Sequence, residues 1–552
     1  MANTAVAIFA YKRPVHFLRV LRALTPQVRS RQLPVHIFLD GSKSDVDSRD
    51  VEACFRIASM YQYKCGFIVH KNACNQGPCQ SLTSGVTEMF LRFQRLIILE
   101  DDILTSPYFI DYMLNGLEAY EANPRVASIH GYSLPLNTEV DETFFLRGAY
   151  CWGWATWRDR WSLFRSDASN MVREITDNNL GKDFDLGGHV SNLQLLKNRA
   201  EKKSNSWAIC WHASCFLADK LTLHPGRPLV KKIGLDASGE NCSQSSWHDV
   251  SLTHHPIRIG EIEVAESSHV SKLYGRLQAP LPLSTRATQI VLHKSRQIRY
   301  KVRRLARSIF PSKLSLTGNY STYESAISAS SPYDGEAILS QVTQASTSVL
   351  RGDSAYERDG KTFEMRPPSL KIYDRLDGLL KPDSTIADFG GGVGGLFFNA
   401  PELFPVNCRK IVIEQASMVK AGRHLQNICD TAIEYFDSGD LLALPKLDII
   451  VFSAVLQYIS NPFRVLLEVV DACKPKTILI DRTAVSKIKR MWHIQHNPGY
   501  YSDEVSYPIQ PLNVKEIQDC LPDYRLVKTW KNDFDPDFPE HVGLELQHKD
   551  AL

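Results

Sequence analysis

One stretch of the sequence places a carboxylate and several glycines at the spacing of a ligand-binding turn. Asp388, Gly390, Gly392 and Gly394 form the pattern D-x-G-x-G-x-G directly after a buried strand predicted at 384–387. Glycines at this density cost backbone entropy, which indicates a turn that needs positive φ or a close approach of the main chain to a ligand. Between a strand and a helix, such a turn is typical of sites for nucleotide-like ligands, with a purely structural glycine turn as the alternative.

A second carboxylate makes the interpretation of this turn more specific. Glu414 ends the apolar residues 410–413, about one strand–helix–strand unit further along the chain. An acid at that position suits the two neighbouring hydroxyls of a ribose. Asp388, in contrast, would repel the pyrophosphate of a dinucleotide, whereas S-adenosylmethionine carries no phosphate. The pattern therefore favours S-adenosylmethionine over NAD as the cofactor.

Three consecutive acids suggest a different chemistry in the N-terminal half. Glu100, Asp101 and Asp102 follow directly on the apolar residues 96–99. Neighbouring carboxylates repel one another unless a cation neutralises them. Mg²⁺ and Mn²⁺ prefer carboxylate and phosphate oxygens, so the triplet favours a divalent metal that bridges a nucleoside diphosphate. The alternative is that these acids stabilise the start of a helix expected from about residue 106.

The elements around this triplet alternate between strands and helices. This alternation predicts an α/β fold with a largely parallel sheet, whose ligand lies at the carboxyl ends of the strands. Asp40 ends the second strand, so we expect it at the same edge as the triplet. The predicted strands lie at 6–10, 35–40, 67–70 and 96–99, and the first helix at 14–24.

Length and composition indicate more than one domain. A chain of 552 residues exceeds what one hydrophobic core usually supports. A hydrophobic content of 43% and a charged content of 23% are ordinary for a soluble globular protein. No apolar run reaches the roughly 18 residues of a membrane span, and Lys12 and Arg13 stand where a signal peptide would be cleaved. The twelve cysteines show no pairing pattern, which favours a reducing cytosol.

A basic segment separates the two halves. Residues 267–323 contain eleven Lys and Arg and no Asp or Glu. Within them, 288–310 has the spacing of an amphipathic helix with one apolar stripe and a basic remainder. Such a helix is typical of a membrane-surface anchor, and a linker helix packed between domains is the alternative. No nucleic-acid-binding motif accompanies it, so we expect no nucleic-acid partner.

The C-terminal half, from about 316 to 552, resembles a class I S-adenosylmethionine-dependent methyltransferase. Residues 447–458 resemble the fourth strand of that fold and the segment after it, and Asp437 lies where the family often holds the adenine. The resemblance implies a Rossmann-like sheet in which Asp388, the spaced glycines, Glu414 and Asp437 hold the cofactor. Further phrases resemble a bacterial methyltransferase subfamily from polysaccharide gene neighbourhoods, at 318–320, 356–359, 412–415, 456–458 and 506–508.

Methyl transfer to a hydroxyl would benefit from a general base. His493 is the first candidate, with His496 and Asp481 as alternatives. Each could equally have a structural role.

The N-terminal half resembles the GT-A glycosyltransferases around N-acetylglucosaminyltransferase I and its bacterial relatives. The resemblance implies that Arg13 and Asp40 hold the nucleotide, that Asp102 and Glu100 bind Mn²⁺ or Mg²⁺, and that Asp101 lies nearest the donor sugar. It also implies that a tryptophan-rich segment with Trp154 forms part of the acceptor wall, although a core role for these tryptophans is as well supported. The matching phrases lie at 7–14, 38–41, 75–77, 98–102 and 151–157.

The catalytic carboxylate expected from this resemblance is missing at its usual place. Inverting enzymes of the group need a carboxylate base, and residues 204–211, where the related enzyme carries one, contain no acid. Asp236 is the substitute we favour, and Asp159 is the alternative. Either could instead be a turn residue.

The sequence therefore predicts a glycosyltransferase domain at 1–265, a basic linker at 266–315 and a methyltransferase domain at 316–552. We expect a bifunctional cytoplasmic enzyme of bacterial surface-polysaccharide synthesis, peripheral to the inner face of the membrane through 288–310. A nucleotide sugar would be the donor and a glycan, free or lipid-linked, the acceptor. The alternatives are an active glycosyltransferase with a regulatory cofactor-binding domain, or a membrane-surface scaffold.

Overall fold

A computed structural model describes most of the chain, which divides into two compact units, Met1–Arg286 and Ala287–Leu552. The described residues are 3–135, 140–235, 250–278, 315–330, 335–486, 491–496, 506–532 and 540–551.

The first unit is built on a sheet of eight strands in the order β3-β2-β1-β4-β8-β6-β9-β7. The four strands β3, β2, β1 and β4 are parallel, and β8 then runs antiparallel to both β4 and β6. The predicted α/β fold class is confirmed. The strands are β1 (Thr4–Ala10), β2 (Val35–Leu39), β3 (Ile68–Lys71), β4 (Arg95–Glu100), β5 (Ile103–Thr105), β6 (Val126–His130), β7 (Thr143–Arg147), β8 (Trp154–Trp157), β9 (Leu221–Pro225) and β10 (Val230–Lys232).

Helices cover the sheet because the central strands are apolar on both faces. Every residue of β1 and β2 is buried, as expected for parallel strands between two helical layers. The helices are α1 (Pro14–Ser30), α2 (Asp45–Cys65), α3 (Gly77–Met89), α4 (Phe109–Ala119), α5 (Arg158–Trp161), α6 (Ala168–Asp177), α7 (Gly181–Phe184), α8 (Asn192–Ala200), α9 (Ala208–Leu217) and α10 (Ser268–Gln278).

The first unit continues beyond residue 265, where the sequence placed its end. Helix α10 buries Val270 and Tyr274 in the core of this unit. The Tyr274 hydroxyl also accepts a hydrogen bond from the Leu134 N–H at 3.2 Å. The beginning of the predicted linker is therefore a packed helix of the first unit.

The second unit has a sheet of seven strands in the order β16-β15-β14-β17-β18-β22-β21. Strands β14 to β18 are parallel, and β22 and β21 complete the sheet in antiparallel pairings. Strands β11, β19 and β20 form a separate three-stranded sheet. The strands are β11 (Ser315–Tyr320), β12 (Tyr356–Arg358), β13 (Lys361–Phe363), β14 (Thr385–Phe389), β15 (Arg409–Glu414), β16 (Glu434–Asp437), β17 (Ile449–Ser453), β18 (Thr477–Ala484), β19 (Trp492–His496), β20 (Ser506–Ile509), β21 (Tyr524–Asn532) and β22 (His541–His548).

The helices described in the second unit are on average shorter than those described in the first, and several connections are single 3₁₀ turns. Two hydrophobic clusters lie on the two faces of the seven-stranded sheet, one around Phe452 and one around Tyr373. The helices are α11 (Tyr323–Ser328), α12 (Gly335–Leu350), α13 (Ile372–Leu376), α14 (Gly395–Phe398), α15 (Ala416–Leu425), α16 (Pro462–Cys473) and α17 (Val514–Cys520). The 3₁₀ turns are Pro401–Leu403, Leu441–Ala443, Leu456–Tyr458 and Lys549–Ala551.

Membrane association was predicted from the basic segment 288–310, which lies outside the described residues. Among the helices that are described, none combines the length and apolar character needed to cross a bilayer.

Candidate functional site

The glycine turn lies at the carboxyl edge of the second sheet. Strand β14 occupies the middle of that sheet between the parallel strands β15 and β17. Asp388 is buried near the end of β14, and the N–H of Gly390 donates to the Ile413 carbonyl oxygen at 2.9 Å. Gly390, Gly392 and Gly394 have φ angles of 71°, 57° and 105°. Other residues rarely adopt these angles, which explains the spacing of the three glycines.

Packing as well as φ requires glycine in this turn. A Cβ atom at Gly390 would lie 2.5 Å from Val455 Cγ2, and one at Gly394 would lie 2.8 Å from Ile433 Cδ1. Both distances are well below the about 3.5–4.0 Å of carbon atoms in contact. The turn therefore has close side-chain neighbours and no room for side chains of its own at these two positions.

A cavity of about 180 Å³ lies beside the turn. The main chain of residues 390–393 forms part of its wall. Most of the other polar groups around it come from side chains that the sequence did not single out. Polar lining residues include Glu357, Asp359, Asp388, Asn399, Ser453 and Arg482.

Glu357 is a buried carboxylate held in place by its neighbours. Its N–H donates to Asn399 Oδ1 at 2.9 Å, and Asn399 Nδ2 donates back to the Glu357 carbonyl oxygen at 2.8 Å. The Gly360 N–H donates to Glu357 Oε1 at 2.9 Å. Burial raises the pKa of Glu357 to about 7, and burial likewise raises the pKa of Asp388 to about 7. Two carboxyl groups that titrate near neutral pH therefore line one cavity.

Arg482 contributes positive charge to the same cavity. Its Nη1 donates to Asp359 Oδ2 at 3.3 Å and its Nε donates to Ser453 Oγ at 3.2 Å. Arg482 has a φ of 50° and lies where the pairing of β18 with β22 is interrupted. Its charge partly opposes the effect of burial on the pKa of Asp388.

Glu414 and Asp437 lie side by side at the same edge of the sheet. They are paired in register at the ends of the parallel strands β15 and β16. Glu414 is half-buried and Asp437 is exposed. Burial raises the pKa of Glu414, and the Asp437 carboxylate adds to that effect. Neither residue lines the cavity beside the turn, so they mark a second, more open part of the edge.

The three candidate bases of this unit lie in different environments. His493 belongs to the separate sheet, where its Nδ1 lies 2.8 Å from the Gly318 carbonyl oxygen. His496 is hydrogen-bonded in that sheet through its Nε2, 2.7 Å from Thr317 Oγ1. Neither histidine lines the cavity.

Asp481 has a structural role in the described residues. It is fully buried, and its Oδ1 accepts from Trp530 Nε1 and Asn532 Nδ2, both at 2.9 Å. Burial raises the pKa of Asp481. This carboxyl group connects β18 to β21 through Oδ1, and its Oδ2 lies 3.5 Å from Oγ of Ser453, which lines the cavity. Its role as a base remains a prediction.

In the first unit, the acid triplet ends β4 and two basic residues contact it. Arg13, just before helix α1, donates through Nη2 to Asp101 Oδ1 and through Nη1 to Asp102 Oδ2, the latter at 2.8 Å. Lys232, at the end of β10, places its Nζ 3.4 Å from Asp102 Oδ2. Strand β10 pairs with β5, directly after the triplet, which brings Lys232 to this position.

Burial and these cations have opposite effects on the acids. Burial alone would raise the pKa of Asp102, but Lys232 and Arg13 hold that pKa below its ordinary value. Burial raises the pKa of Asp101, and it raises the pKa of Glu100 to about 7. The triplet is therefore largely neutralised by protein cations.

The predicted divalent metal is not supported by this arrangement. A metal ion was expected to balance the negative charge of the triplet, whereas Arg13 and Lys232 provide the positive charge. Asp102 Oδ1 is buried with no hydrogen-bond partner among the described residues, but Oδ2 is engaged by both cations. Within those residues, no group of three His, Cys, Asp or Glu is arranged to hold a metal ion. Glu100 and Asp102, as placed, do not fit Mn²⁺ or Mg²⁺.

Asp40 organises a loop in the described structure. Its Oδ1 accepts from the Gln76 N–H and its Oδ2 from the Gly77 N–H, both at 2.9 Å. Asn72 Nδ2 and the Gly41 N–H also donate to Oδ1. The carboxylate thus satisfies N–H groups at the start of helix α3, and its predicted contact with a nucleotide remains a prediction.

Trp154 lies in the core, contrary to its predicted place in an acceptor wall. It is 1% exposed and its ring packs against the indoles of Trp161, Trp207 and Trp211. Gly153, between Trp152 and Trp154, has a φ of 62°, so the backbone turns there and the two tryptophans have different environments. Trp152, two residues earlier, is half-buried and lines a cavity.

The candidate bases of the first unit remain unassigned. Asp236 lies outside the described residues. Asp159 is two-thirds exposed on helix α5 and forms an ion pair with its neighbour Arg160. No described contact connects Asp159 with the acid triplet.

Three residues important to these sites received no role from sequence reasoning. Glu357 lies in the phrase 356–359 that resembles the bacterial subfamily, but it was not assigned to a site. Arg482 and Lys232 gave no such signal, because each reaches its site through sheet pairing with a distant segment.

Comparison with known proteins supports a family assignment in the second unit. The family model of the O-methyltransferase domain matches residues 368–495. This range contains the glycine turn, Glu414 and Asp437. No curated protein matches the chain.

Solved structures with some similarity include three methyltransferases. An S-adenosylmethionine-dependent methyltransferase from Clostridium acetobutylicum is 10% identical over 33% of this chain and 90% of its own, with a TM-score of 0.25. One from Listeria monocytogenes, described as putative, is 12% identical over 33% of this chain and 99% of its own, with a TM-score of 0.25. Magnesium protoporphyrin IX methyltransferase from Synechocystis is 13% identical over 40% of this chain and 89% of its own, with a TM-score of 0.23. These values are too low to support an argument. The family match shows that residues 368–495 of the second unit are similar to an O-methyltransferase domain.

Proposed function

We propose that the second unit transfers a methyl group from S-adenosylmethionine to a hydroxyl group of a glycan. The observation that carries this proposal is the turn from Asp388 to Gly394, which has three positive-φ glycines, borders a cavity and lies inside the matched residues 368–495. Bound S-adenosylmethionine would supply a methyl group already activated by its sulfonium. The protein then needs mainly to bring donor and acceptor together in the right orientation.

The described side chains fit this cofactor in two parts. The cavity, about 180 Å³, is smaller than the roughly 300–1,000 Å³ of common ligand sites, so it suits only one end of the cofactor. We assign it to the amino acid end, whose ammonium group would face Glu357 and Asp388 and whose carboxylate would face Arg482. Glu414 and Asp437 would then receive the ribose hydroxyls and the adenine at the open edge.

Proton removal from the acceptor completes the reaction. The acceptor oxygen gains the methyl group and loses its proton, so a base near that oxygen would assist the transfer. His493 remains our proposed base. Its Nδ1 lies beside the Gly318 carbonyl oxygen, which fixes the proton on Nδ1 and leaves Nε2 as the basic nitrogen.

A second proposed activity, in the first unit, is transfer of a sugar from a nucleotide-sugar donor to the same class of acceptor. The observation that favours it is the position of Arg13, Lys232 and the acid triplet together at the carboxyl end of β4, a central parallel strand. Ligands of open α/β sheets bind at such edges. The acceptor hydroxyl would give its proton to a base, for which Asp236 is our candidate, and its oxygen would bond to the anomeric carbon. The bond to the diphosphate oxygen would break, and the nucleoside diphosphate would leave. Arg13 and Lys232 would neutralise its charge.

Two activities on one chain suggest a shared glycan, because the second step gains effective concentration from the first. Purified protein would be incubated with labelled S-adenosylmethionine, nucleotide sugars and acceptor glycans, and the products weighed by mass spectrometry. We expect a mass increase of one methyl group that requires S-adenosylmethionine and is lost in Asp388→Ala. Cofactor binding by calorimetry without any methylated product would instead indicate a regulatory domain.

A lipid-linked acceptor would place the enzyme at the inner face of the membrane, with 288–310 as the proposed contact. Flotation with anionic vesicles, comparing the full chain with a chain lacking 288–310, tests this point. Equal flotation of both would remove the segment from the proposal.

A further inference from the structure

The first unit contains a second cavity, separate from the acid triplet, with a volume of about 290 Å³. This volume is close to the lower limit, roughly 300 Å³, of sites that hold small molecules. Its walls come from the end of β6, the segment before β8 and helices α8, α9 and α10. No role has been assigned to it so far.

The lining of this cavity is uncharged. It includes no Asp, Glu, Lys or Arg among the described residues. Burial holds the pKa of His130 well below its usual range and lowers the pKa of His212 to about 4, so both rings are neutral near pH 7. A charged ligand would have to be buried here without a counter-ion, which is strongly unfavourable. The cavity therefore selects a neutral occupant.

His130 borders the cavity but presents no accessible polar atom to it. Its Nδ1 lies 3.2 Å from His224 Nδ1, so these two neutral rings share one proton at that contact. Its Nε2 is fully enclosed by neighbouring atoms and has no hydrogen bond with any described residue. The polar contacts for an occupant must therefore come from other lining residues.

Aromatic rings form the rest of the wall. Tyr132 and Trp152 meet edge to face with their centroids 4.9 Å apart, and Tyr150 packs against His130 at 5.5 Å. Asn192 and Ser206 add uncharged hydrogen-bonding groups. Flat apolar faces together with scattered hydroxyl partners fit a molecule that has C–H faces and an equatorial rim of hydroxyls.

Trp152 also connects this cavity to the acid triplet. The Lys232 Nζ lies 5.2 Å from the centre of the Trp152 ring, and the same Nζ pairs with Asp102. Trp152 thus borders the cavity and also lies close to a cation of the proposed diphosphate site, so the two sites are neighbours.

We propose that this cavity binds an uncharged sugar ring of the acceptor glycan, with its hydroxyls toward Asn192 and Ser206. This inference rests on the proposed sugar transfer by the first unit, for which it names the acceptor class. It excludes hexuronic acids and other charged sugars from this subsite.

The test measures binding of free sugars to the full-length protein by saturation-transfer NMR and tryptophan fluorescence. The probes are a neutral hexose, a 6-deoxyhexose, an N-acetylhexosamine and a hexuronic acid. We expect weak binding of at least one neutral sugar, on the order of millimolar, because a single ring buries little area. Binding of the hexuronic acid as tightly as the neutral sugars would overturn the inference.

Two variants locate the binding. Ala208→Trp, at the half-buried start of α9, fills the cavity, and Leu195→Trp obstructs it from a position that is 51% exposed and tolerant of change. We expect at least tenfold weaker sugar binding in the first and at least threefold in the second. Leu91→Trp, the same change at an exposed site of this unit, should leave binding unchanged. Unaltered sugar binding in folded Ala208→Trp or Leu195→Trp would refute the assignment.

The same samples separate this inference from the proposed function. Nucleotide-sugar binding is measured in parallel on the unmodified chain. Sugar binding that the variants do not affect, together with donor binding and transfer, contradicts only the cavity assignment. Sugar binding that depends on the cavity, without any donor binding, contradicts the proposed sugar transfer and leaves the subsite supported.

Discussion

Arg13 Nη1 donates to Asp102 Oδ2 at 2.8 Å, and the Nζ of Lys232 lies 3.4 Å from the same oxygen. Two cations thus converge on one buried carboxylate oxygen at the end of β4. Gly234 packs so tightly against Asp102 Oδ2 and Arg13 Nη1 that a Cβ atom there would overlap with both. A diphosphate that entered this site would compete with Asp102 for cations already positioned there.

Replacing Asp102 should affect the first unit alone. Asp102→Asn keeps the shape of the side chain but removes the charge that faces Arg13 and Lys232. Breaking a buried ion pair costs up to about 3–5 kcal/mol. We therefore expect a lower free energy of unfolding for the first unit and loss of nucleotide-sugar turnover, while methyl transfer persists. Denaturant unfolding followed by tryptophan fluorescence, and the two activity assays, check this.

The matched control is Asp111→Asn. Asp111 pairs with Arg31 at 2.7 Å, but both side chains are more than 40% exposed. An exposed pair contributes at most about 1 kcal/mol, so this change should leave stability and both activities nearly unaltered. An equal loss of methyl transfer in Asp102→Asn and not in the control would show that the sites are not separable.

Affinity for S-adenosylmethionine should increase with pH between about 6 and 8. The pKa values of Asp388 and Glu357 are raised by burial to about 7. The cofactor carries a net positive charge, so it favours the ionised carboxylates and its binding releases protons. As pH rises through about 7, that proton release no longer costs free energy, and affinity reaches a plateau.

Calorimetry in two buffers with different ionisation enthalpies measures this proton release directly. Asp388→Asn should bind the cofactor more weakly and with a smaller dependence on pH. Glu434→Gln is the control, since Glu434 is an exposed partner of Arg409 at the amino ends of β16 and β15, opposite the carboxyl ends that carry Asp437 and Glu414. Affinity of the unmodified protein that falls as pH rises would contradict the assignment of the cavity to the ammonium end.

Alanine at Gly394 should destabilise the second unit. Gly394 has a φ of 105°, and an added Cβ would lie 2.8 Å from Ile433 Cδ1. Backbone strain of this kind costs on the order of 1–3 kcal/mol, and the overlap adds to it. We expect a lower melting temperature of the second unit together with weaker cofactor binding. Gly378→Ala is the control, because a Cβ there meets nothing within 4 Å and the φ is not positive.

The glycine turn and its sheet could be predicted because their signals are local. Asp388 and the spaced glycines lie within seven consecutive positions. Glycine at such a position indicates a positive φ or a close neighbour, so the turn can be recognised from the residue types alone. The apolar runs that became β14 and β15 were equally recognisable. Local pattern also predicted the α/β class of both halves.

The partners of the acids could not be predicted because they come from distant segments. Lys232 reaches Asp102 only through the pairing of β10 with β5. The Asp40 carboxylate accepts hydrogen bonds from the N–H groups of Gln76 and Gly77, which lie in a distant loop. Sequence shows three adjacent acids and their mutual repulsion, but not which cation relieves it. For this reason a metal ion was expected, whereas Arg13 and Lys232 balance the negative charge of the triplet.

Trp154 and Trp152 should respond in opposite ways to truncation. Trp154 is 1% exposed among three other indoles, so Trp154→Ala should cost about 3–5 kcal/mol and unfold the first unit at a lower temperature. Trp152 is half-buried at a cavity wall beside Lys232, so Trp152→Ala should leave the unit folded but weaken binding of neutral sugars and sugar transfer. Thermal unfolding and saturation-transfer NMR on both variants measure the two effects, with methyl transfer as the internal control. If Trp152→Ala destabilised the unit as much as Trp154→Ala and sugar binding were unchanged, Trp152 would be a core residue and would have no part in recognising an acceptor.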